Sequence, residues 1–140
     1  LFYRDRIAMS AEALVLPAEP PRVTETRGSN LSPAIREVVI HMERHFNEPL
    51  TLDGLAAICR LSMHRFATVF RRQMGIPPHQ YLCRLRVRHA YALLRDGVTP
   101  AEAALEAGFC DQSHLSRHFR KQLGVSPGRV AAAFRPVVAS

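Results

Sequence analysis

The side chains with the widest chemical reach in this sequence are its arginines. Arg60, Arg65, Arg71, Arg72, Arg84, Arg86, Arg88 and Arg95 all fall between Asp53 and Asp96, a stretch that holds no carboxylate. A guanidinium is planar, stays charged, and donates paired hydrogen bonds that match phosphate or the edge of guanine. Residues 1–53 carry eight acids against six arginines, whereas the remainder carries four acids, Asp96, Glu102, Glu106 and Asp111, against thirteen basic residues. The net charge of +7 therefore resolves into about −2 and about +9. The basic charge belongs to the second part of the chain and points to a polyanionic partner.

Other reactive side chains support less. His41 and His45 stand four apart, as do His114 and His118, the spacing at which two imidazoles on a helix share a metal. Neither pair has a carboxylate or thiol at hand to complete the shell, apart from Glu43 on a different helix face, so surface or half-buried histidines are expected and no metal. His118 is expected at a core edge. Cys59, Cys83 and Cys110 are odd in number and lack a C-x-x-C spacing, which argues against a disulfide framework and a four-Cys zinc site. They read as small buried apolar residues in a reducing cytoplasm. No G-x-S-x-G, phosphate loop or H-E-x-x-H occurs, so neither catalysis nor a cofactor is expected. No uncharged apolar run reaches membrane-spanning length, and Leu1-Phe2-Tyr3-Arg4-Asp5 lacks the pattern of a secretion signal, so no membrane partner is expected.

These residues need elements to position them. The 140 residues are 47% hydrophobic, enough for one modest domain. Residues 17–33 hold Pro17, Pro20, Pro21 and Pro33 with Gly28, Ser29 and Asn30, the composition of a linker. Residues 1–31 are expected to be the tail of an absent N-terminal domain with this linker, because a start at Leu1 fits a piece of a longer chain. A folded region is expected over 32–136. Ser32-Pro33 opens a helix with Ile35, Val38, Val39, Met42 and Phe46 at helical spacing. Thr51 caps a short helix through Cys59 with Leu52, Leu55 and Ala56 facing inward. Ser62 caps a third, lined by Phe66, Val69, Phe70 and Met74 and stopped by Gly75. A longer helix over about 78–96 buries Tyr81, Leu82, Leu85, Tyr91 and Leu94. Thr99-Pro100-Ala101-Glu102 has the form of a capping box for a helix to Ala107. Asp111 caps the next, with Leu115, Phe119 and Leu123 four apart, and Ser126-Pro127 begins a seventh that Pro136 ends. Nothing alternates with period two, so the fold class is all-α.

The sequence also repeats itself. At an offset of 49, Phe70, Arg71, Gln73, Gly75 and Pro78 match Phe119, Arg120, Gln122, Gly124 and Pro127, while Arg72 meets Lys121. Upstream the offset is 48, pairing Thr51 with Thr99 and Ala56 with Ala104, so a one-residue slip falls in the turn between the helices. Each copy, about 51–75 and about 99–124, is a short helix, a tight turn and a longer helix, the helix-turn-helix pattern. A seven-helix domain of two such subdomains joined by a long connecting helix is the expected architecture.

The run from Gly108 through Phe109, Cys110, Asp111, Gln112, Ser113, His114, Leu115, Ser116, Arg117, His118, Phe119 and Arg120 to Lys121, followed by Gly124-Val125-Ser126-Pro127, resembles the AraC/XylS family of bacterial transcription regulators. The resemblance covers about residues 32–135. It implies a sequence-specific regulator that places two recognition helices in successive major grooves of double-stranded DNA, about 34 Å apart. It also implies RNA polymerase as a partner at promoters, and an effector ligand, if any, held by a domain absent from this chain. Val130 departs from the family pattern, which has Tyr or Phe there, and bears on how the last helix packs.

On a recognition helix of this kind, Gln112, Ser113, Ser116 and Arg117 lie opposite Leu115 and Phe119 and are the expected base readers, with Arg117 suited to guanine and Gln112 to adenine. In the first copy the corresponding readers are His64, Ala67 and Thr68. Arg65, Arg71, Arg72, Arg120 and Lys121 are the expected phosphate contacts. Because Ala67 and Thr68 stand where the second copy has Ser116 and Arg117, the two halves are expected to read DNA unequally. Arg84, Arg86 and Arg88 alternate on the connecting helix and cannot all face one backbone. Two other readings use the same residues: a module that delivers a larger enzyme to DNA, and a helical bundle that binds protein. The basic Arg117, Arg120 and Lys121 disfavour the second.

Overall fold

A computed structural model describes residues 31–134. Among these, seven α-helices and no strands are found: α1 (Pro33–His45), α2 (Leu52–Cys59), α3 (Met63–Met74), α4 (Pro78–Arg95), α5 (Pro100–Glu106), α6 (Gln112–Leu123) and α7 (Pro127–Phe134). The chain divides into two compact units between Leu85 and Arg86, inside α4. The tail and most of the linker expected before Ser32 lie outside the described residues, as does Pro136.

In the first unit, Leu31 is already buried, and the Ser32 hydroxyl caps α1 by accepting from the Ile35 N–H. Ile35, Val38, Val39 and Met42 of α1 meet Leu55 and Ala56 of α2, Phe66, Phe70 and Met74 of α3, and Tyr81 and Leu82 of α4. Burial of each such large side chain contributes about 1.5–3 kcal/mol. Phe70 sits edge-on to both Phe66 and Tyr81, with ring centroids 5.6 and 5.9 Å apart. Polar ties fix the ends. The Ser32 N–H and hydroxyl both donate to Oε1 of Gln73 in the last turn of α3, at 2.9 and 3.2 Å. The Tyr81 hydroxyl donates to Glu43 of α1 at 3.4 Å.

The second unit repeats this plan, with the second half of α4 ahead of α5 as α1 is ahead of α2. Leu115, Phe119 and Leu123 of α6 pack with Ala103 and Ala104 of α5, Val87, Ala90, Tyr91 and Leu94 of α4, and Val130 of α7. Val130 is fully buried, so the last helix docks through a side chain smaller than the family's aromatic. Phe134 supplies an aromatic one turn later, edge-on to Tyr91 with centroids 6.1 Å apart.

The two tight turns are built alike. In the first, the Arg60 and Leu61 N–H groups donate to the Ala57 and Ala56 carbonyls; in the second, Gly108 and Phe109 donate to Leu105 and Ala104. These bonds satisfy helix-end carbonyls and need a left-handed residue at the corner. Gly108 takes that conformation with φ 95°, as glycine does freely, whereas the first turn forces it on Arg60 at φ 58°. Arg60 is the one described residue other than glycine with positive φ. Leu61 is followed directly by the cap Ser62, but Cys110 intervenes between Phe109 and the cap Asp111. The repeat's slip is therefore Cys110.

Three expectations need correction. Leu52 does not face inward; at the first position of α2 it is 39% exposed, before the helix turns its apolar face onto α1. Cys110 is exposed, because the inserted residue has no place in the core and bulges from the turn, and Cys59 is only half-buried. A carboxylate does stand beside His45: Glu48, brought back by the turn after α1, pairs with its Nδ1.

Two stability changes follow from the turns and caps. A left-handed conformation costs a non-glycine residue about 1–2 kcal/mol, and glycine gives back about 0.4–1 kcal/mol through unfolded-chain entropy. Arg60→Gly is expected to raise stability by about 0.5–1 kcal/mol by urea denaturation, and a lowered midpoint would show that the Arg60 side chain makes a compensating contact. Asp111 accepts from the His114 N–H at 2.8 Å and anchors the start of α6. Its replacement by Ala is expected to cost about 1 kcal/mol while Asp111→Ser retains most of the stability, and equal losses would refute the capping role.

Candidate nucleic-acid interface

Each unit carries one helix whose apolar line is spent on the core and whose remaining surface faces solvent. In α6 the line is Leu115, Phe119 and Leu123, four residues apart and all buried. Residues four apart on a helix share a face, so burying this line turns Ser113 and Arg117 outward, while Ser116 flanks the line and Gln112 reaches solvent as the first residue of the helix. These four line one open surface depression with Arg120. Gln112, Ser113, Arg117 and Arg120 are exposed and Ser116 half-buried, while Lys121 extends the basic edge into the last turn. Asp111 lies at the helix start with its carboxylate committed to the cap.

The start of α6 is held by rings. Phe109, at the end of the turn, stacks on His118 with centroids 5.8 Å apart and meets His114 edge-on at 5.1 Å. Nδ1 of His114 accepts from the Cys110 N–H at 3.4 Å, which ties the inserted residue to the helix. The i, i+4 pair His114 and His118 thus forms a packing cluster with Phe109, with His118 at the core edge as its alignment with Val69 implies. Among the described residues no group of three His, Cys, Asp or Glu side chains is placed to hold a metal.

In α3 the buried line is Phe66, Phe70 and Met74. The Ser62 hydroxyl accepts from the Arg65 N–H at 3.2 Å, as Asp111 does from His114. His64, Arg65, Thr68, Arg71 and Arg72 are exposed and Ala67 is half-buried. The Thr68 hydroxyl donates to the His64 carbonyl at 3.0 Å, so its hydrogen is used within the helix. Arg71 and Arg72 stand in the last turn, the place of Arg120 and Lys121 in α6. Gly75 and Gly124 close the helices by donating to the Arg71 and Arg120 carbonyls, both at 2.8 Å. One exposed residue lies outside the readers expected from sequence: Met63, first in α3 and 47% exposed. The 49-residue offset pairs it with Gln112, a signal already present in the repeat.

On α4 the three arginines separate. Arg86 is 8% exposed, whereas Arg84 and Arg88 are half-buried. Burial pushes the Cys59 thiol above its usual pKa, and the negative charge of Glu37 adds to the shift. With its Sγ 3.5 Å from the Ala34 carbonyl, Cys59 is a half-buried thiol packed against α1. No described helix is long and apolar enough to cross a membrane.

Comparison with known proteins places this arrangement. A family model described as a helix-turn-helix domain matches residues 55–133, more than half of the chain. The chain is 36% identical over 84 residues to the uncharacterized HTH-type transcriptional regulator YbfI of Bacillus subtilis, covering 60% of this chain and 30% of that protein. It is 32% identical over 104 residues to the HTH-type transcriptional activator RhaS of Escherichia fergusonii, covering 72% and 37%. The chain thus spans about a third of the length of such regulators. Among solved structures, the DNA-binding domain of the transcriptional factor AdpA, in complex with a target DNA, aligns with a TM-score of 0.70 and 36% identity over 74% of this chain and 95% of that one. A probable AraC family transcriptional regulator from Rhodopseudomonas palustris aligns with a TM-score of 0.68 and 32% identity over 75% of this chain and all of that one. With two capped helix-turn-helix units and these relatives, the chain belongs to the AraC-type helix-turn-helix family of transcription regulators.

Proposed function

We propose that this chain is the operator-reading part of a longer cytoplasmic transcription regulator, and that α3 and α6 lie in successive major grooves of double-stranded DNA. The observation that carries the reading is the exposed row of Gln112, Ser113, Ser116, Arg117 and Arg120, polar and basic and left outside the core by the packing of α6. A helix of this size fits the major groove and reads base edges from its first turns. Arg117 addresses guanine, Gln112 addresses adenine, and Ser113 and Ser116 accept or donate to either base type. In the first unit His64, Ala67 and Thr68 face the bases. Arg65, Arg71, Arg72, Arg120 and Lys121 hold phosphates, which contribute affinity and salt dependence and leave base identity to the readers. The chain performs no catalysis itself; its output passes to RNA polymerase, and any effector binds a separate domain of the longer protein.

Selection from a random duplex pool with the purified chain tests this reading. The expected operator has two sequence blocks about one helical turn apart. On that operator Arg117→Ala is expected to cost about 1–3 kcal/mol and relax preference at one base pair. Equal weakening on scrambled DNA would remove Arg117 from the base readers. Arg71→Ala is expected to weaken operator and scrambled DNA alike and to reduce the slope of log K against log salt by about 0.9. A changed base preference with an unchanged slope would overturn the phosphate assignment.

A further inference from the structure

We infer that the first unit reads thymine through its 5-methyl group, with Met63 as the principal contact. The inference rests on the DNA-reading function proposed above and names the chemistry of one half of it. Met63 is the first residue of α3, immediately after the cap Ser62, and it is 47% exposed although its side chain is wholly apolar. Among the described residues the other exposed large apolar residues, Ile40, Leu52 and Leu105, lie on α1, α2 and α5 and not on a recognition helix. The 49-residue repeat sets Met63 in register with Gln112, which opens the exposed row of α6.

The surroundings of Met63 continue its character. Ala67 is four residues on and shares its face. Thr68 follows, with its hydroxyl hydrogen donated to the His64 carbonyl at 3.0 Å, so that the side chain keeps a methyl group for an outside partner but no free donor. Met63 and the half-buried Ala67 therefore make a short apolar strip at the start of α3, with the Thr68 methyl beyond it, where α6 carries Gln112, Ser116 and Arg117. In the major groove the 5-methyl of thymine is the one methyl group among the base edges, and the other features that distinguish the pairs are chiefly hydrogen-bond donors and acceptors. A methionine thioether chain is flexible and polarizable enough to cover such a methyl without exact geometry. The two units thus read by different chemistry, the first by methyl contact and the second by hydrogen bonds.

Deoxyuridine removes the methyl and leaves pairing and every hydrogen-bonding atom in place. On the operator selected with the 140-residue chain, the block whose preferences survive Arg117→Ala belongs to the first unit. Each thymine of that block is replaced in turn by deoxyuridine and the Kd measured. At one or more positions affinity is expected to fall about four-fold, the factor that burying one methyl carries. Met63→Ala is expected to bind thymine and uracil duplexes equally there, and reselection with Met63→Gln is expected to exchange thymine for adenine at that position. Because Met63 is exposed, both variants should melt as the parent chain does, so a loss of discrimination reports on contact with DNA.

Uracil tolerated throughout the first block, or a uracil penalty that persists undiminished in Met63→Ala, overturns the assignment while the enriched operator leaves the DNA-reading function standing. A pool that yields no enriched sequence overturns both.

Discussion

The structure depends on burying one short apolar line on each recognition helix. Both α3 and α6 have twelve residues, a length at which an isolated helix is marginal in water. Phe66, Phe70 and Met74 hold one to its unit, and Leu115, Phe119 and Leu123 hold the other. The burial that stabilises the helix also sets its rotation. With side chains four apart committed inward, Ser113 and Arg117 have no direction left but outward, and so have His64, Arg65 and Thr68, while Gln112 is left exposed by its place at the start of the helix. Core packing and ligand presentation are two consequences of the same constraint.

The ends of these helices are fixed as firmly as their faces. Ser62 and Asp111 accept the N–H three residues on, Gly75 and Gly124 tie off the last turn, and Gln73 binds the chain at Ser32 to the end of α3. A reading helix must not slide or fray if its first turn is to meet particular base edges, since those contacts discriminate only in a narrow geometry. The second unit adds a ring cluster, Phe109 with His114 and His118, to the start of its helix. There the chain has gained Cys110 in the turn, and the His114 ring takes up the backbone N–H of that added residue.

Duplication has preserved the scaffold and released the reading surface. Caps, glycine stops and last-turn bases correspond between the units, and the caps and stops serve folding, which is the same in both. Met63 and Gln112, Ala67 and Ser116, and Thr68 and Arg117 differ, and these are the positions proposed above to meet the bases. The separation between what holds the helix and what the helix presents leaves one plan with two unlike exposed surfaces.

Much of this was legible in the sequence because local signals decide local structure. Ser32, Thr51, Ser62, Thr99 and Asp111 mark helix starts through hydrogen bonds that span only three residues, and period-3.6 apolar spacing marks the buried faces, so all seven described helices and the buried lines of α1, α3 and α6 follow from the chain itself. The polar row of α6 follows by subtraction from its apolar line. Tertiary packing decided the rest. Leu52 and Met63 are apolar yet exposed, because the first residue of a helix precedes the turn that packs, and hydrophobicity alone does not distinguish it from the core. Arg86 is drawn out of solvent while Arg84 and Arg88 stay half-exposed, a difference that depends on which side of α4 its neighbours cover. The left-handed Arg60 is hidden from sequence because any residue type is ordinary until closure of a tight turn imposes a backbone angle on it. Residue type and spacing determined which helices form and which side chains are left over; only the packing of one helix on another decided which of those side chains remain at the surface.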